Sequence, residues 1–169
     1  MKAKDISIKL PKKENAIEKF YQNCEKRKKF IAIDKDNYKK HLKKAKHDLY
    51  RATKEFEDNC WDWTVIKAYY SIHHAANALL LKEKGFFSKD HSCLIIALKY
   101  NNLIENELFK ELSNLHESLS DALGLDITFQ LRKLGQYDIN EWENITKEDA
   151  SLTLSVAKKL ISFAEKENA

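Results

Sequence analysis

The sequence predicts an all-α protein: an antiparallel up-and-down four-helix bundle with extra N-terminal and short helices. Three observations lead there. Only 3 Gly and 1 Pro in 169 residues leave little turn chemistry for hairpins or sandwiches. The stretch from Trp61 to Lys84 contains neither and is apolar over much of its circumference, which places a helix of about six turns in the middle of a bundle. Tyr38, Leu42, Ala45, Leu49, Ala52 and Phe56 advance by 4, 3, 4, 3 and 4, the seam of a helix packed lengthwise at a shallow angle.

Taken in order, residues 1 to 12 read as an extended lead-in ending at Pro11. A helix is expected from Lys13 to about Ile31, with Ile17, Phe20 and Cys24 on one side and the cluster Lys26, Arg27, Lys28, Lys29 near its C-terminal end, where cations complement the dipole. Asp34 or Asp36 can cap the next helix, Asn37 to Asn59. The break at Asp58 and Asn59 is so short that the helix from Trp61 must run back antiparallel, and Gly85 stops it. Phe86 to Asp90 is expected as a connection with Ser88 as a cap, followed by a short helix from about Lys89 to Lys99 buried through Cys93, Leu94, Ile95, Ile96 and Leu98. Leu108, Leu112, Leu115, Leu119 and Leu123 then predict a helix from about Glu105 to Gly124. Leu125 to Asn140 fits either a helical piece or a loop. Thr146 with Asp149 resembles a capping box opening the last helix, with Leu152, Val156, Leu160 and Phe163 as its buried stripe.

Length indicates one core, with residues 1–35 a basic, partly helical N-terminal extension and residues 36–169 the bundle. Cys24, Cys60 and Cys93 are widely spaced and without a CxxC, which is the usage of a reducing compartment with no disulfide framework. The N-terminus lacks the apolar core of a signal peptide and no charge-free apolar run suits a membrane span, so the expectation is a soluble, cytoplasmic protein. Charge is uneven. Residues 1–60 hold 18 Lys+Arg against 10 Asp+Glu, whereas residues 61–169 hold 12 against 16. A basic half can attract phosphates or merely keep the surface solvated.

Six histidines invite a metal, but His73 and His74 are adjacent, His41 and His47 are six apart, and no HxxxH or ExxH pair sets two ligands together, so no metal site or cofactor is indicated. No G-x-S-x-G elbow, Walker A or G-x-G-x-x-G loop is present. The polar groups within the central helix, notably Tyr70, His73 and Asn77, are candidates for a ligand cleft; Tyr70 and Asn77 are seven apart and share a face. His91 is a fourth candidate, with bracing of the short helix as its structural alternative. His73 equally fits a hydrogen-bonded bundle histidine.

The order A-Y-Y-S-I-H-H-A-A-N-A-L-L at Ala68 to Leu80, Gly85, K-D-H at Lys89 to His91, L-R-K-L-G-Q-Y-D at Leu131 to Asp138 and A-K-K-L-I-S-F-A in the last helix resembles the HEPN superfamily, specifically its small stand-alone archaeal and bacterial members. The resemblance covers roughly residues 37 to 166. It implies a four-helix bundle that pairs as a homodimer. Many such proteins are metal-independent endoribonucleases with an Arg, four residues, then His, duplicated across the dimer cleft. The matching positions here are Arg132 and Tyr137. Arginine still offers a fixed fork of donors for phosphate, but a tyrosine titrating near pH ~10 replaces imidazole poorly as a general acid/base. Arg132 also fits a pairing with Asp138 or Glu141, and Tyr137 a packing role.

Three readings follow from the resemblance. The first is an RNA- or nucleotide-binding module, or the HEPN half of a toxin–antitoxin pair with a nucleotidyltransferase partner. The second is an endoribonuclease with a degenerate R-x4-Y site, in which Tyr137 or a histidine such as His73 supplies the missing group. The third is a non-catalytic helical scaffold.

Overall fold

The computed structural model describes residues 9–123 and 141–166, and it is helical with one small two-stranded ribbon. Helix α1 spans Glu14–Lys26, strand β1 Phe30–Ala32, a 3-10 turn Lys35–Asn37, α2 Tyr38–Glu57, α3 Trp61–Lys84, β2 Phe86–Ser88, α4 His91–Tyr100 and α5 Asn106–Leu123. A second 3-10 turn, Glu141–Asn144, precedes α6, Lys147–Glu165. Helix α3 packs along both α2 and α6, α2 also meets α6, and α1 lies on α4.

The helix ends explain where the chain turns. After α1, α2 and α4 the backbone enters the left-handed region at Lys28 (φ 54°), Asn59 (φ 56°) and Asn102 (φ 55°). In each case two N–H groups reach back across the last turn: Cys60 to Glu55 and Asn59 to Phe56 at the end of α2, Leu103 to Leu98 and Asn102 to Lys99 at the end of α4. Asparagine tolerates that conformation, so Asn59 and Asn102 stop helices as glycine does elsewhere. Gly85 ends α3 at φ 79°, where a Cβ would stand 3.3 Å from the Lys35 side chain.

Small residues let α3 serve as the common wall. Ala68, Ala75 and Ala78 are fully buried, as are Leu80 and Leu81, against Ala45 and Ala52 of α2 and Ala157, Leu160 and Ala164 of α6. Close-packed leucines of this kind cost about 2–5 kcal/mol each when cut to alanine. In α5 the predicted stripe holds, with Leu108, Leu112, Leu115 and Leu119 all buried.

Several expectations need correction. Phe86–Ser88 is not a plain connection: it pairs antiparallel with Phe30–Ala32, Ile31 facing Phe87, and so α1 closes at Lys26 instead of reaching Ile31. The α4 cap is Asp90, whose carboxylate accepts from the Cys93 N–H, while Ser88 ends the strand. Cys24 and Cys93 form a disulfide, 69 residues apart in sequence, because packing α1 on α4 brings their Cα atoms to 5.9 Å. Spacing along the chain carries no trace of that contact. Of the stripe expected for the last helix, Val156 and Leu160 are buried, but Leu152 is 52% exposed and Phe163 is only half-buried; Ala150, Thr153, Leu154, Ala157, Ile161 and Ala164 complete the buried face of α6. The Thr146–Asp149 capping box is present, each side chain bonding the other residue's backbone N–H.

Leu10 is buried and its N–H donates to Glu117 of α5 at 3.1 Å, so the segment before α1 is anchored to the bundle. No helix among the described residues is long and apolar enough to cross a membrane.

Candidate functional site

Where α3, α4 and α5 converge, a narrow recess of about 10 Å³, room for little more than a water, is walled by Ile72, Ala76, Leu94, Ile95, Leu112 and Leu115. Tyr69, His73 and His91 are its polar side. The helical phase decides which tyrosine takes part. Tyr69 turns inward and is buried, while Tyr70, one step of the helix further round, is 41% exposed and does not line the recess.

Asn77 fixes one end of the site. Its carboxamide oxygen accepts from the Ser88 N–H at 2.9 Å and its nitrogen donates to the Ser88 carbonyl at 2.8 Å, so both ends of the amide are assigned by the β2 backbone. The same nitrogen lies 3.2 Å from His73 Nε2. Because that nitrogen is a donor, His73 Nε2 accepts, and the neutral ring carries its proton on Nδ1. Nδ1 is buried with no hydrogen-bond partner among the described residues. Burial first, then the neighbouring His91, His74 and His41, hold the His73 pKa well below the usual histidine value.

The His91 ring lies 4.2 Å from that of His73, and its Nδ1 is 3.1 Å from the Tyr69 hydroxyl. The same hydroxyl is 2.9 Å from His116 Nδ1, whose Nε2 is 3.0 Å from the Ser92 hydroxyl. A tyrosine has one proton to give, so it donates to one ring and accepts from the other. These contacts link Ser92, His116, Tyr69 and His91 in one hydrogen-bonded chain across α3, α4 and α5.

On the opposite side of α3, His74 Nδ1 meets His41 Nδ1 of α2 at 3.2 Å, so one ring donates and the other accepts. Burial lowers the pKa of both. Asp48 lies close enough to oppose that shift on His74, and its Oδ1 accepts from Lys44 at 2.6 Å. Among the described residues no group of three His, Cys, Asp or Glu side chains is arranged to hold a metal.

Of the residues singled out by sequence, His73, Asn77 and His91 are thus brought together, and Tyr70 is not among them. Tyr69, one of the polar groups of the central helix, takes the place expected of Tyr70, and Ser92 and His116 were missed. For His116 the signal was present: it stands four residues after Leu112 and three before Leu119, on the apolar stripe of α5, where a polar side chain needs an internal partner.

The family model of the HEPN domain matches residues 38–167. The chain belongs to the HEPN family. No curated protein and no solved structure gave a match. The HEPN match begins at the first residue of α2, so α1 and β1 precede it. Arg132 and Tyr137, the positions matching the family's Arg and His, lie outside the described residues.

Proposed function

We propose that this HEPN protein is a binding module that engages RNA or a nucleotide, or pairs with a nucleotidyltransferase partner as the HEPN half of a toxin–antitoxin module. Helices α2, α3, α5 and α6 complete the up-and-down bundle, two copies form a homodimer, and Arg132 of each copy grips phosphate in a shared cleft. Membership of the HEPN family carries this reading. It is supported by the excess of Lys+Arg over Asp+Glu in residues 1–60, 18 against 10.

Binding without cleavage is favoured over the degenerate endoribonuclease by the state of His73. An imidazole whose Nε2 is engaged by Asn77 and whose buried ring resists protonation does not form the imidazolium that a general acid needs near neutral pH, which removes His73 as the substitute for the missing group. Titration of the protein with a labelled oligoribonucleotide and with a nucleoside triphosphate, at rising salt, tests the proposal. Salt-sensitive binding that Arg132→Ala weakens at least about tenfold is the expected result. Absence of any salt-sensitive binding by the unmodified protein overturns it. Cleavage of the RNA in EDTA, abolished by Arg132→Ala, would establish the endoribonuclease instead.

A further inference from the structure

Helix α2 presents an outer face that packing does not explain. From Lys39 to Lys54 every exposed side chain is Lys, Arg, His47 or Tyr50. The one acid in that span, Asp48, is buried beneath Lys44. Lys46 and Lys54 have carboxylate partners in Glu165 and Glu57, but Lys39, Lys40, Lys43 and Arg51 have none among the described residues. Cations thus recur about once per helical turn, roughly every 5.4 Å, and between Lys39 and Lys54 the exposed face carries no acid of its own. Each like-charge neighbour on a helix is mildly destabilising, so the arrangement gains nothing for folding.

Tyr50 stands in the middle of this stripe, seven residues after Lys43 and four after Lys46, and is 58% exposed. Its ring contributes little to the core. The ring, with Lys54 Nζ 5.5 Å from its centroid, stands on a face where Lys39, Lys40, Lys43 and Arg51 lack carboxylate partners among the described residues, and that combination matches one kind of partner, a strand whose phosphates are regularly spaced and whose bases are free to stack. A duplex hides its base faces, and an acidic polypeptide has no use for the ring.

We infer that the outer face of α2 is a binding track for single-stranded RNA, in which Lys39, Lys40, Lys43 and Arg51 contact phosphates and Tyr50 stacks on a base. The track rests on the RNA-binding reading above and adds to it a surface remote in sequence from Arg132.

The test compares three proteins binding a labelled oligouridylate across a salt series: the unmodified chain, Lys39→Ala/Lys43→Ala/Arg51→Ala, and Tyr50→Ala. The triple variant is expected to lower the slope of log K against log salt by about 2, since each lost phosphate contact removes about 0.7 on a single strand. Tyr50→Ala is expected to weaken binding by about tenfold or more, and Tyr50→Phe to restore it. Thermal melts matching the unmodified protein establish that the variants are folded. RNA binding that Arg132→Ala weakens but that both α2 variants leave unchanged overturns the track and leaves the family reading intact. No RNA binding by the unmodified chain overturns both. Equal affinity for duplex RNA or polyglutamate, indifferent to Tyr50, also overturns the track.

Discussion

Helices α2 and α3 lie side by side, joined by only Asp58, Asn59 and Cys60, yet they use polar residues in opposite ways. In α3 the polar groups are inside and committed: Asn77 is hooked to Ser88, Ser71 donates to the Ala45 carbonyl at 2.7 Å, and Tyr69 joins two histidines. In α2 most are outside, and several have no partner within the described residues. A polar side chain with internal partners is explained by folding. One that lacks them is satisfied by water, and it is the run of cations along one face with Tyr50 in its midst that points to a ligand.

The sharpest way to break that contrast is at Asn77. Asn77→Leu leaves the Ser88 N–H and carbonyl buried without their partners and should cost about 2–4 kcal/mol, read as a lower urea midpoint with an unchanged slope. A loss below about 0.5 kcal/mol would mean the α3 network is not structural.

A medium effect is expected from pH. The folded-state pKa values of His73, His74 and His41 are depressed, so below the unfolded histidine value of about 6.5 the unfolded chain binds more protons. The stability associated with these neutral rings is complete above that pH and is lost as pH falls through the folded values. Thermal midpoints should therefore drop on acidification from neutrality, and His73→Gln should flatten the decline. A flat profile in the unmodified protein would show that burial does not hold the rings neutral.

The smallest effect belongs to α2. Lys39→Ala/Lys43→Ala should shift folding stability by less than about 0.5 kcal/mol, measured by urea unfolding, because both side chains are exposed and without a carboxylate partner among the described residues. A marked destabilisation would assign these lysines to folding and erase the distinction between the two helices.

The sequence made α3 and its stop at Gly85 legible because length, apolar breadth and a glycine agree there. The same holds for Asn59, Asn102 and the Thr146–Asp149 box, each of which is local chemistry. What stayed hidden depended on partners far along the chain. Phe86–Ser88 is too short to show a strand period and becomes a strand only opposite Phe30–Ala32. In α6 apolar residues stand at Leu152, Leu154 and Val156, so periodicity leaves the edge of the buried face open; packing takes Leu154 and Val156 inside and leaves Leu152 outside. At the candidate site, Asn77 and His73 are one turn apart on one helix and could be read together. His116 reaches Tyr69 only through the packing of α5 on α4 and α3, which no spacing encodes.

The Cys24–Cys93 disulfide changes the topology of the molecule. It closes a covalent ring that contains both ribbon strands, α2 and α3, with α4 beginning just before its second sulfur. The basic face of α2 is therefore carried on a loop with both ends fastened to the same point. α1 cannot peel away from α4 while that bond is intact, and a backbone cut anywhere between the two cysteines leaves the two pieces joined.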